Sequence, residues 1–115
     1  MNTFGYKLST LVECSRHMQQ VRKAELSIGD RVFVKTRNSV YTIRVVENDY
    51  CIVSGGWFDR KGLSPVKTRI NGCTWGGSAI KMDVLAACGL CLEFGNRVVT
   101  TSIRRIFVLP HVSEN

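Results

Sequence analysis

The chain has 115 residues, with 16 Lys and Arg against 9 Asp and Glu, and a net charge of +7. That length bounds it to one domain with a single core. No apolar run approaches the ~20 residues that cross a bilayer, and residues 1–7 carry no basic flank leading into an apolar stretch. A membrane span and a signal peptide are therefore not expected, and a cytoplasmic setting is.

Residues 1–7 read as a loose N-terminus. Residues 8–23 are predicted to form a helix, because Leu8, Leu11, Val12, Met18 and Val21 recur at three- to four-residue spacing. Thr10 and Glu13 fit a capping box, and Arg22 and Lys23 complement the negative end of the helix dipole. Ser27-Ile28-Gly29-Asp30 reads as a turn.

From Arg31 the period becomes two. Residues 31–36, 40–46, 50–53 and 66–71 alternate as strands, with a tight turn at Asn38-Ser39 and a polar turn at 47–49. Gly55-Gly56 and residues 59–64 form a longer connection. Residues 79–82 read as a short strand, and 83–88 are ambiguous between strand and one helical turn. Residues 90–94 alternate again, Gly95-Asn96 is expected to be a two-residue hairpin turn of the primed kind, and residues 97–101 and 103–108 close the sheet. Residues 109–115 read as a tail. Short strands at this spacing predict a mainly β fold: a small single-domain antiparallel barrel or sandwich over 31–108, with one N-terminal α-helix.

The segment Thr36-Arg37-Asn38-Ser39-Val40-Tyr41 occurs with Gly55-Gly56, Gly76-Gly77-Ser78, residues 90–93 and Arg97-Val98-Val99-Thr100-Thr101-Ser102. In these segments the chain resembles a family of short, uncharacterised bacterial proteins that share T-R-N-S-V-Y, a first glycine doublet, G-G-S and a late I/V-V-T-S stretch. The match covers about residues 36–106. It implies a bacterial source and carries no activity that can be transferred.

Motifs for catalysis are weak. Cys14, Cys51, Cys73, Cys88 and Cys91 are odd in number, so a disulfide framework is not expected in a cytosolic setting. Cys88-Gly89-Leu90-Cys91 has the spacing of half a zinc site, but no second paired motif completes it, and packed or surface thiols are the plainer reading. His17 and His111 have no catalytic group near them in sequence. Asp49, Asp59, Asp83 and Glu93 show no spacing that would bring two together for acid–base work. No phosphate-loop pattern is present; Arg60-Lys61-Gly62 can hold an anion or simply turn the chain. No catalytic residue, metal ligand or cofactor is therefore assigned.

The charge and the aromatic residues point to binding. With Val32, Val34, Tyr41, Ile43, Val45, Val66, Thr68 and Ile70 facing inward, Lys35, Arg37, Arg44, Lys67 and Arg69 face outward, and Arg104 and Arg105 can join them. Trp57, Phe58 and Trp75 stand beside glycines in loops. Small barrels bind single-stranded nucleic acid with such cations and stacking rings; the same residues also describe a solvated sheet face with aromatic lids. The first expectation is thus a non-enzymatic module for nucleic acid or another polyanion. The second is a small anionic ligand, or weak enzymatic activity, between the two Gly-Gly/Trp loops. The third is a homo-oligomer joined through an outward Phe33, Val40 or Val46 and open sheet edges. A buried Arg37 would call for Asp30 or Glu93 as its partner.

Overall fold

The period-two alternation after residue 30 becomes a closed antiparallel barrel. The structure is a computed structural model and describes residues 16–47, 50–75 and 79–111. Its strands are β1 (Arg16–Met18), β2 (Gln20–Arg22), β3 (Arg31–Thr36), β4 (Val40–Glu47), β5 (Tyr50–Gly55), β6 (Val66–Thr74), β7 (Ile80–Lys81), β8 (Val84–Ala87), β9 (Cys91–Phe94) and β10 (Val99–Leu109). A 3₁₀ turn spans Lys23–Glu25, and the short helix α1 spans Gly56–Arg60.

Six strands form the ring in the order β3-β4-β5-β6-β9-β10, and β10 returns to β3. All six ladders are antiparallel, from Val32↔Ile43 and Ile43↔Val53 through Ile70↔Phe94 to Ile106↔Val34. β6 and β10 are long enough to pair with one neighbour over their first half and the other over their second. This stagger lets a sheet close. Val32, Val34, Ile43, Val53, Leu92, Phe94, Ile103 and Ile106 fill the interior. Their outward neighbours Lys35, Arg44, Lys67, Arg69 and Arg105 are exposed.

Successive connections of an up-and-down ring alternate between its ends. One end carries the β3–β4 turn, α1 and the β9–β10 turn. The other carries the β4–β5 turn and the insertion between β6 and β9, which holds β7 and β8. Phe58 of α1 plugs the first end, edge-on to Tyr41 and Phe94 at ring distances of 6.3 and 4.8 Å. β8 is buried along its whole length and pairs with β2 as a separate ribbon.

The predicted helix is not formed where it can be judged. Residues 16–18 and 20–22 are strands, and residues 8–15 lie outside the described residues. Val21 is buried between exposed Gln20 and Arg22, which is a strand pattern. The open edges of β10 and β8 supply the hydrogen bonds, and such tertiary pairing overrides helix propensity. The β9–β10 turn also differs. Phe94 N–H donates to Val98 O at 2.9 Å across a three-residue loop, and Arg97, with φ 69°, takes the left-handed conformation.

The expected tail begins later than residue 109. Leu109 still belongs to β10, and His111 N–H donates to the buried Asp30 carboxylate at 2.8 Å. Asp30 also accepts Ser27 N–H at 2.8 Å, so the start of β3 and the end of β10 are fastened together.

Candidate anion-binding face

Register places cations beside cations on the outside of the barrel. Arg31 of β3 lies directly opposite Arg44 of β4, Arg44 opposite Ile52 of β5, and Ile52 opposite Lys67 of β6. The inward pair Val32↔Ile43 fixes the face of this row, since side chains alternate along each strand. Arg105 of β10 is likewise opposite Lys35 of β3. Like charges directly across a ladder destabilise it.

The next position down the sheet pairs Tyr50 with Arg69. The Lys67 ammonium and the Arg69 guanidinium stand 5.3 and 5.6 Å from the centre of the Tyr50 ring. Lys67 also forms an exposed ion pair with Glu47, a weak contact at that exposure. The result is a shallow outer surface with Arg31 and Arg44 on adjacent strands, ~4.8 Å apart, Lys67 two strands beyond Arg44 across Ile52, and the Tyr50 ring beside Lys67 and Arg69.

This geometry gathers some of the expected residues and separates others. Lys67 and Arg69 stand on one face of β6, and Arg44 lies in the same row as Lys67 across Ile52. Lys35 stands further along β3 toward α1, and Arg37 is exposed in the β3–β4 turn. Trp57 and Trp75 lie in connections at opposite ends of the barrel, so no cleft joins them. Trp57 is half-buried against Phe58 at 5.2 Å, and its backbone N–H donates to the Tyr41 hydroxyl at 3.2 Å. Phe58 is 1% exposed and belongs to the core, so it is not a ligand contact. Trp75 is 58% exposed, with the Lys81 ammonium 5.3 Å from its ring. Arg31 and Tyr50 were not among the expected residues. Their alternation was readable, but their position beside Arg44 and Arg69 is a matter of register.

Arg37 needs no buried partner, Asp30 holds Ser27 and His111, and Glu93 accepts Asn71 Nδ2 at 2.8 Å. Phe33 points outward between Phe107 and Thr42 but is only 5% exposed, so it offers no free contact surface. Val40 is exposed and Val46 half-buried. Among the described residues the sheet path ends only at β1 and β7, because the barrel strands are closed on each other.

Cys73, Cys88 and Cys91 are free thiols, and Cys51 is buried in the core. Burial raises Cys73 from 9.0 to about 11, and its Sγ faces Leu85 O at 3.6 Å. Burial also pushes the Cys88 thiol up. A raised pKa disfavours the thiolate that metal binding or nucleophilic attack requires. Among the described residues no three His, Cys, Asp or Glu side chains converge as metal ligands, and no helix is long and apolar enough to cross a membrane. No family profile, curated protein or solved structure matches the chain.

Proposed function

We propose that the protein is a non-catalytic binding module whose outer sheet face takes a polyanion, with single-stranded nucleic acid as the best-fitting class. The observation that carries this reading is the cross-strand row Arg31–Arg44–Ile52–Lys67 with Arg69 beside it. Lys35 against Arg105 adds a second cross-strand pair of exposed cations, which a chain of phosphates would neutralise. Tyr50 adds a ring on which a base can stack beside the cations. The bacterial family resemblance contributes no activity to this reading, and the cytoplasmic setting is part of the proposal.

The test is electrophoretic retardation of short single- and double-stranded oligonucleotides at low and moderate salt. Binding is expected at low salt and should fade as salt rises, with preference for the single strand. Arg44→Glu and Arg69→Glu should each weaken it, while circular dichroism shows the barrel intact. Failure to retard either oligonucleotide at low salt would overturn the reading.

A further inference from the structure

Four large apolar side chains that remain exposed, Ile28, Tyr50, Ile80 and Met82, border two cavities at the barrel end opposite α1. Ile28 and Met82 are the most open, at 66% and 69%. The first cavity, about 460 Å³, lies between the 23–28 segment with Leu85 on one side and the adjoining ends of β4 and β5 on the other. The second, about 430 Å³, lies between Asn71 and Glu93 on one side and Ile80 and Met82 on the other. Both fall in the size range of small-molecule sites, ~300–1,000 Å³.

Lys23 and Ile70 border both cavities, so the two lie side by side and are taken together as one trough. The Lys23 ammonium sits at the junction and donates to Asn71 O at 3.3 Å. An ammonium has three donors, and among the described residues no carboxylate lies within ion-pair distance of it. The lining also carries Arg69, Glu47 and Glu93; Glu47 is held by Lys67 and Glu93 by Asn71, so the trough combines apolar walls with a Lys23 ammonium whose donors are not all used by the protein.

We propose that this trough binds a small amphipathic anion, a carboxylate carried on an apolar body. Lys23 takes the carboxylate. Leu26, Ile28, Val45, Ile70 and Leu85 receive the apolar part, and Tyr50 forms the rim. Charge selects the class: a carboxylate satisfies the ammonium with a charge-assisted hydrogen bond, a neutral alcohol does so weakly, and an alkylammonium is repelled. The site adjoins the basic face at Tyr50 and Arg69 but does not depend on polyanion binding.

The test is calorimetric titration of the whole chain with dodecanoate below its micelle concentration, alongside dodecanol and dodecylammonium. Amide chemical shifts would locate the contact. Saturable one-to-one binding is expected, with the largest shifts at Ile70 and Leu85 and much weaker binding of the other two probes. Lys23→Met should weaken dodecanoate about tenfold or more. Ile28→Asp, at an open position that folding does not need, should weaken it similarly. Val99→Ser, an exposed apolar position at the other end of the barrel, should bind as the parent does. Absence of saturable binding would overturn the proposal. So would equal affinity in the Lys23→Met and Ile28→Asp variants, or shifts confined to the Arg31–Arg44 row.

Discussion

Gly55 and Gly56 are held for two reasons at once. Both have left-handed backbone, with φ 100° and 45°. A Cβ on Gly55 would stand 2.1 Å from the Val40 carbonyl oxygen, and one on Gly56 would stand 2.3 Å from Tyr41 Cζ. Gly62 has φ 69° but open space around it. Gly62→Ala should therefore cost only the backbone strain, ~1–2 kcal/mol, whereas Gly55→Ala and Gly56→Ala should each cost ~3 kcal/mol or more. Urea unfolding of the three variants checks the order. The sequence showed two glycines and a choice between a turn and a close approach; the structure uses both. Cys73 is fully buried. Its folded pKa is raised, so the unfolded thiol ionises first as pH climbs. Relative to Cys73→Ala, the parent should have its full contribution below pH 9 and lose stability between about 9 and 11, with a slope of at most ~1.4 kcal/mol per pH unit. A flat difference across that window would contradict the burial of the thiol.

At the scale of elements, α1 turns a connection into a plug. Gly55 N–H donates to Asp59 Oδ1 at 3.0 Å, which fastens the helix back to the strand it leaves. Phe58 then stands among Tyr41, Trp57 and Phe94. Phe58→Ala should cost ~3–5 kcal/mol, read as a lower urea midpoint, and should expose Trp57 with a red-shifted emission. Five residues are too few for a helical period to show, which is why this element read as loop. β8 was ambiguous for a related reason: Val84–Ala87 is apolar on both faces, so no alternation marks it as a strand. The strands β3 to β6, by contrast, were legible almost residue by residue, because their residues alternate, even though outward Phe33 and Thr42 are buried. The β9–β10 turn misled because Gly-Asn favours a two-residue loop, while the chain places Arg97 in the strained position.

For the whole molecule, the alternating pattern predicted the barrel's faces but left its neighbours open, and the candidate site is a matter of neighbours. Arg44, Lys67 and Arg69 were readable as outward cations; only register brings Arg31 and Tyr50 to them and sends Trp57 and Trp75 to opposite ends. If Arg31, Arg44, Lys67 and Arg69 all meet phosphates, the logarithm of affinity for a single strand should fall with the logarithm of salt at a slope of about −3. Losing one of these cations should make the slope shallower by ~0.7. A slope near zero would locate binding elsewhere. The fastening of Asp30 to His111 marks the seam where the first and last strands of the ring meet. Such a seam forms last during synthesis. Until residues 103–109 are available, β3 presents an unpaired edge that can recruit another chain. A nascent or truncated chain ending before Ile103 should therefore aggregate, whatever the strength of the strands already made, because the ladder from β10 to β3 guards that edge in a way that charge alone does not.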